Sequence, residues 1–306
     1  MEPALSMNLD KLITETYPPI PLQTLANMVN SFPTATRGEK KSIIDELVSR
    51  HAVIQYSIGS GSIFHRTRAI SSEPSKMYAQ DALWRKNYTP SKGRANSPDT
   101  SVMYASHDIE TSLSEIYHHA PWGDHHQEIL VSGLKIIEGA EVRVIPIGEM
   151  GYLARTGFSF MFGEMDVLRG MINACPLDDI RSLTITDDFL GHCFSEDENY
   201  DISSYVAEKL FQKSPDSSAI CYTSKRRPGG KNIAIRTSDF WNNWSIVSIS
   251  KMRVEHLWRH FFKLRDITSM SSLTHENEIV WNDASEPVER FRVNVPGIVL
   301  SDISPG

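Results

Sequence analysis

The stretch from Gly93 to Glu115, GRANSPDTSVMYASHDIETSLSE, constrains the fold more than any other part of the chain. Ser97-Pro98-Asp99-Thr100 has turn chemistry, with Pro98 presetting φ. Ser101 to Ala105 then runs through Val, Met, Tyr and Ala without a charge, as a strand buried on both faces does. Ser106 or Asp108 can cap a following helix. On that helix Ile109, Leu113, Ile116 and Tyr117 fall at i, i+4, i+7 and i+8 and make one apolar face. Glu115 lies roughly 145° from the centre of that face at about 100° per residue. The pattern is turn, strand, helix, with Arg94 before the strand, Tyr104 within it and Glu115 on a face that does not pack inward. These three can line one cleft. The same spacing also suits a solvated helix face beside a core tyrosine.

A chain of 306 residues is long enough for one large domain or a domain with extensions. Its 40% apolar and 23% charged content is that of a globular protein. The net charge of −7 argues against non-specific nucleic-acid binding, which needs a basic footprint, but leaves room for a local basic pocket. Cys175, Cys193 and Cys221 lie far apart and form no CxxC pair, so a disulfide framework or structural zinc site is not expected and a reducing cytoplasm is the simpler setting. The opening Met1-Glu2-Pro3 lacks a basic flank followed by an apolar core, so no signal peptide is expected. No apolar run approaches a membrane span.

Helices are expected over residues 22–32 and 38–51, the second with Ile43, Ile44, Leu47 and Val48 on one face, in an accessory segment covering residues 1–58. The turn Gly59-Ser60-Gly61-Ser62 opens a main domain over residues 59–250, and residues 251–306 read as an extension packed on it. Ile63 to Arg68 reads as a strand with a basic end, and residues 71–92 as loop. His118, His119, His125 and His126 bracket Pro121 and Gly123. A histidine-rich turn fits them better than a metal site, for no carboxylate or cysteine stands at ligand spacing. Residues 128–134 and 141–146 read as strands. Tyr152 to Met171 reads as irregular and buried, and Asp178-Asp179, Asp187-Asp188 and Glu196-Asp197-Glu198 as acidic clusters in loops. An amphipathic helix is expected over residues 202–213. An apolar strand then ends in Ser224, followed by Lys225-Arg226-Arg227, the Pro228-Gly229-Gly230 turn and a strand over residues 232–236. Taken alone, this unit is also what a solvated basic turn looks like. Val254 to Lys263 reads as a basic, helix-like stretch, and the remainder as strands and loops, with residues 289–295 and 298–300 as strand candidates.

Three blocks therefore stand in order: Phe64-His65-Arg66; Gly93-Arg94-x-Asn96 leading to Tyr104-Ala105-Ser106 and Glu115; and Ile220 to Ser224 with Pro228-Gly229-Gly230-Lys231-Asn232. This order resembles the RES domain family, over roughly residues 60–240. Two positions differ from the family pattern: Ala95 stands where an aromatic is usual, and Thr223 where proline is frequent. The resemblance implies an α+β, ADP-ribosyltransferase-like split-sheet core and a toxin of a bacterial toxin–antitoxin pair. It implies cleavage of the nicotinamide–ribose bond of NAD, consumed as a substrate rather than recycled as a cofactor. The ribosyl carbon would pass to water, to phosphate or to a protein side chain. An antitoxin partner is implied too, and self-association is common among such proteins. A catalytically inactive interaction module with the same fold is the reading from another class. A ribonuclease built on the paired histidines is disfavoured by the acidic net charge.

The residues suit that chemistry. Losing nicotinamide leaves positive charge at the ribosyl carbon, which a carboxylate stabilises; Glu115 is the candidate. Guanidinium forks match the diphosphate, which points to Arg66 and Arg94. Tyr104 is placed to stack on the nicotinamide ring. Ser224 can hydrogen-bond the carboxamide or ribose and fix the reacting geometry. The catalytic set expected is thus Arg66, Tyr104, Glu115 and Ser224, with Arg66, Arg94, Tyr104 and Ser224 binding NAD and no metal required. No GxGxxG follows a strand, which argues against a Rossmann dehydrogenase.

Overall fold

Residues 4–5, 11–70, 76–83, 93–96, 101–117, 126–161, 165–196, 200–283 and 289–290 are described by a computed structural model of the chain. After β1 (Ala4–Leu5), the N-terminal segment is helical: α1 (Ile13–Thr16), α2 (Leu22–Ser31) and α3 (Arg37–Arg50). Thr36 starts α3 with a capping box. Its hydroxyl accepts the Glu39 N–H at 3.3 Å, and the Glu39 carboxylate accepts the Thr36 N–H at 2.7 Å. Of the expected face of α3, Ile44, Leu47 and Val48 are buried and Ile43 is half-buried; Leu25 of α2 is buried as well.

The chain then enters the sheet through β2 (Tyr56–Gly59) and β3 (Ile63–Ala69). A short helix, α4 (Ala79–Leu83), lies within the segment expected to be loop; its buried face is only Ala79, Ala82 and Leu83, too brief to leave a period in the sequence. Strand β4 (Val102–Ser106) and helix α5 (Ile109–Tyr117) match the expected strand–helix unit, and Asp108 is the cap: its Oδ1 accepts the Thr111 N–H at 2.7 Å. The expected turn at residues 97–100 lies outside the described residues, as do His118, His119 and His125. Strands β5 (His126–Ile136) and β6 (Glu141–Pro146) follow.

Much of the segment expected to be irregular is helical: α6 (Glu149–Thr156) and α7 (Met165–Asn173) overlap it, and the long α8 (Leu177–Glu196) follows. Asp187 and Asp188 sit inside α8, not in a loop. Asp187 is 2% exposed and accepts the N–H groups of Gly148, Met150 and Gly151 at 3.0, 2.8 and 3.3 Å, while His51 Nε2 bonds it at 2.9 Å. One carboxylate thus meets the unpaired amides at the start of α6 and ties α8 to the end of α3. A buried acid can be afforded here because each lone pair is used.

Helix α9 (Asp201–Lys213) precedes β7 (Ala219–Thr223), β8 (Lys231–Arg236) and α10 (Thr237–Asn243). The segment read as helix-like is instead a hairpin, β9 (Trp244–Trp258) and β10 (Phe261–Leu273), with β11 (Ile279–Trp281) and β12 (Glu289–Arg290) beyond. Val254, Leu257 and Trp258 imitate a helical stripe, but the buried residues are Met252, Val254 and His256, at the period of a strand. Of the strand candidates near the end, residues 289–290 form β12; 291–295 and 298–300 lie outside the described residues.

Among the described residues, one sheet holds twelve strands in the order β1-β2-β6-β7-β8-β4-β3-β5-β9-β10-β11, with β12 on β10. All pairings are antiparallel except β6 with β7. This is an α+β fold. One face buries Phe64, Met103, Ala105, Ile233 and Trp244 against α6 and α7. The other buries Val102, Ile220, Tyr222 and Ala234 against α2, α3, α9 and the end of α8. The expected domain boundaries, after residues 58 and 250, fall inside β2 and β9. All three cysteines are free thiols. Among the described residues, no helix is long and apolar enough to cross a membrane.

Two predictions follow from the buried acids. Asp187→Ala is expected to cost about 3 kcal/mol in denaturant unfolding, because it strands a buried histidine and three amides, whereas Asp188→Ala, at a surface pair with Arg155, changes stability by less than about 1 kcal/mol. Burial pushes the Glu149 carboxyl from 4.5 up to about 7, against hydrogen bonds from Ser159 and the Phe160 N–H. The folded state therefore keeps a proton that the unfolded chain has released. Its stability contribution is complete below pH 4.5 and drains away as pH rises to 7. Unfolding at pH 4.5 and pH 7 is expected to show a loss on the order of 2–3 kcal/mol from this group, which Glu149→Gln abolishes.

Candidate active site

Glu115 is held from the side by two strands. Its Oε1 accepts Ser224 Oγ at 2.7 Å and Asn232 Nδ2 at 2.6 Å. Asn232 Oδ1 in turn accepts Ser106 Oγ at 2.7 Å, which fixes the direction of the amide. Register explains the convergence. Ser106 lies opposite Asn232 across β4 and β8, and Asn232 opposite Tyr222 across β8 and β7, so the three side chains share a face, and Ser224 follows two residues on. Each bond to the carboxylate is worth roughly 1.5–3 kcal/mol, enough to hold one rotamer.

The turn after β7 shapes this corner. Ser224 Oγ accepts the N–H groups of Arg226 and Arg227, both at 3.1 Å, while Ser224 N–H donates to Gly230 O at 2.8 Å. Gly230 is required because a Cβ there would stand 2.6 Å from Thr111 Oγ1. Arg227 Nη1 reaches Asp108 Oδ2 and Thr111 Oγ1, each at 3.1 Å, so the turn is clamped to the start of α5. The sequence thereby brings Ser224 onto Glu115 from 109 residues away.

Tyr104 and Arg94 border the same corner. The Tyr104 hydroxyl accepts the Ala95 N–H at 2.7 Å, and a Cβ at Gly93 would lie 2.9 Å from that oxygen, so the Gly-Arg turn rides directly on the phenol. Arg94 Nη1 donates to Phe194 O at 2.7 Å and also to Ser195 O. These carbonyls end α8, where a cation is favoured by both hydrogen bonding and the helix dipole. Tyr222 lies among these groups. Burial, then the Tyr104 phenol and the Glu115 carboxylate, raise its pKa well above 10, with Arg94 opposing. Tyr222 also packs edge-on against Phe194, with ring centroids 5.0 Å apart.

Arg66 is placed differently. Strands β3 and β4 pair at His65 and Ser106 alone and then separate. Arg66, one residue on, leaves the sheet on the opposite face: its Nε donates to Leu83 O of α4 at 2.8 Å, and its Nη1 reaches through the split to Tyr104 O at 2.6 Å. The guanidinium thus stands where β3 would have met the Tyr104 carbonyl, while Glu115 approaches from the other side. Glu115, Ser224, Tyr104 and Arg94 share one corner; Arg66 touches that corner through the main chain of Tyr104.

Three basic groups beside the corner are shifted toward their neutral forms. Burial keeps His65 and His107 below the ordinary histidine range, helped at His65 by His107 and at His107 by Lys231, with Asp108 opposing at both. Burial brings the Lys231 ammonium down to about 7, against Cys221, Glu149 and Asp108. Among the described residues no group of three or more His, Cys, Asp or Glu is placed to hold a metal. Asn232, Ser106 and Tyr222 were not among the expected site residues. Their sequence signal is polarity inside apolar strands: Asn232 in KNIAIR and Ser106 at the end of VMYAS.

The RES domain model matches residues 65–245, more than half of the chain and all the elements that build this corner. The chain belongs to the RES domain family, a class of domain associated with NAD-using toxins. No curated protein matches the chain as a relative.

Asn232→Leu keeps the branching of the side chain but removes one of the donors to Glu115 and the acceptor of Ser106. It is expected to lower unfolding free energy by about 2–3 kcal/mol, while Lys225→Ala, in the exposed turn, stays within about 0.5 kcal/mol; chemical denaturation measures both.

Proposed function

We propose that the protein is a toxin that cleaves the bond between nicotinamide and ribose in NAD, with an ADP-ribosyltransferase-like core formed by the sheet around the β3–β4 split. The observation that carries this reading is the Glu115 carboxylate, fixed by Ser224 and Asn232 on a face shared with Tyr104. In this reading the C1′–N bond breaks and nicotinamide leaves with its electron pair. Positive charge grows on the ribosyl carbon and is met by Glu115, already aimed and therefore needing no reorganisation. An oxygen of water or phosphate then bonds C1′, and its proton passes to solvent. Tyr104 stacks on the departing ring.

Ser224 acts through Glu115 as a positioning residue, since its hydroxyl is already spent on the carboxylate. Arg94 and Arg66 hold the Gly-Arg turn and strand β4 through main-chain carbonyls, which favours the same kind of role over a direct grip on diphosphate. The family setting supports an antitoxin that covers this corner in the host.

Nicotinamide release from NAD by the purified chain tests the reading. Glu115→Gln is expected to cut kcat by roughly 10²–10³-fold. Ser224→Ala is expected to cut kcat about 10–100-fold with KM little changed, the signature of a lost transition-state contact. Label from adenylate-labelled NAD should stay in small molecules; its entry into protein would mean ADP-ribosyl transfer instead. No release by the wild-type protein, with or without phosphate, would contradict the proposal.

A further inference from the structure

The β9–β10 hairpin runs on past its neighbours in the sheet. Strand β5 reaches β9 only as far as the pair His126–Glu255, and β12 meets β10 only at Leu264 and Arg265, so among the described residues no strand flanks residues 256–263. This tip lies beyond residue 245, outside the match to the family. It is nevertheless fixed. At its base His256 and Phe262 are buried and pack on Tyr117 of α5, with ring centroids 5.9 and 5.7 Å away. At its end Arg259 takes a left-handed φ of 47°, a conformation that favours glycine, and its carbonyl accepts His256 Nε2–H at 2.7 Å. The Arg259 guanidinium lies 4.4 Å from the centre of the Trp258 ring, and Trp258 stacks on Phe261 with the ring planes 9° apart.

What this rigid turn presents is apolar. Leu257, Trp258 and Phe261 are 47, 45 and 46% exposed. Leu257 is the extra residue of a bulge, for Trp258 pairs with Phe261 and His256 with Phe262. Single exposed apolar side chains are ordinary, but three on one projecting, strained turn form a surface that packing of the chain does not account for. The charge around them has one sign. From His256 to Arg265 the sequence carries Arg259, Lys263 and Arg265 and no acid, in a chain with a net charge of −7. Glu255 stands opposite Lys263 and Glu289 opposite Arg265, both behind the turn, so the very end of the hairpin is positive.

We propose that the tip of the β9–β10 hairpin docks on an anionic lipid surface, seating Leu257, Trp258 and Phe261 at the boundary of headgroups and acyl chains while Arg259 meets the lipid phosphates. Aromatic and aliphatic side chains favour that boundary, and a basic collar beside them is drawn to negative headgroups. The other occupants fit less well. A second copy of the tip would set like charges against each other. A nucleic-acid base needs an open aromatic face, whereas the Trp258 ring is already stacked with Arg259 and Phe261. The docking is independent of any reaction at the Glu115 corner.

Sedimentation of the full chain with lipid vesicles tests it, using phosphatidylcholine alone and phosphatidylcholine with roughly one-quarter phosphatidylglycerol. Wild type is expected to pellet with the anionic vesicles, to stay in the supernatant with the neutral ones, and to be released by high salt. Replacing both rings, in the Trp258→Ser, Phe261→Ser double variant, should weaken partitioning about tenfold or more. Arg259→Gly suits the left-handed φ, so it should keep the thermal midpoint while weakening partitioning about fivefold. Wild type left in the supernatant with both vesicle sets, equal pelleting with both, or partitioning unchanged in the double variant would overturn the proposal. Self-association that depends on Trp258 and Phe261, with no vesicle binding, would assign the tip to a second copy and overturn it too.

Discussion

One carboxylate with two donors sets the geometry of this protein. Glu115 reaches off α5 to Ser224 and Asn232, and Asn232 is itself held by Ser106. That chain of bonds joins α5 to β4, β8 and the turn after β7, three pieces that are remote in sequence. It demands close approach, which Gly230 permits, and a fixed turn, which Asp108 and Arg227 supply. The cost of drying a carboxylate is offset by these bonds, so the group stays aimed. A site made this way is preorganised before any ligand arrives, which is what stabilisation of a developing charge requires.

The split between β3 and β4 is the second constraint. A continuous pairing would close the sheet, but pairing stops after His65 and Ser106, and the Arg66 guanidinium takes over the Tyr104 carbonyl. The main-chain acceptor stays satisfied while the strands diverge. Arg94 does the same for the last carbonyls of α8. Arginine suits both places because its planar fork carries several donors and stays charged. Outside the family match, α1 to α3 are tied in through His51 and Asp187, and the hairpin through Tyr117, so both ends brace the same core.

Much of this was legible in the sequence, and the failures have physical causes. The apolar period of α5, the capping signal at Asp108 and the uncharged runs of β4 and β7 are local, and each element formed where those signals lay. The contact of Ser224 with Glu115 depends on register across three strands; the family resemblance puts both residues in one site but gives the Ser224 hydroxyl to the carboxamide or ribose, not to the carboxylate. Helix α8 was misread because Asp187 looks like a solvated charge, whereas its partners are amides 36–39 residues away. Strand β9 was misread because Val254, Leu257 and Trp258 share a spacing with a helix, and His256, a polar residue, occupies a buried strand position. The placement of Arg66 on the α4 side turns on one residue of strand phase, which no spacing in the sequence reports.

A crystal structure of the Glu115→Gln protein soaked with NAD is the most direct measure of the central claim. The account predicts intact NAD with its ribosyl carbon beside residue 115, the side chain still bonded to Ser224, and the nicotinamide against Tyr104. Density for the dinucleotide elsewhere, or residue 115 turned to bulk solvent and away from Ser224, would contradict it.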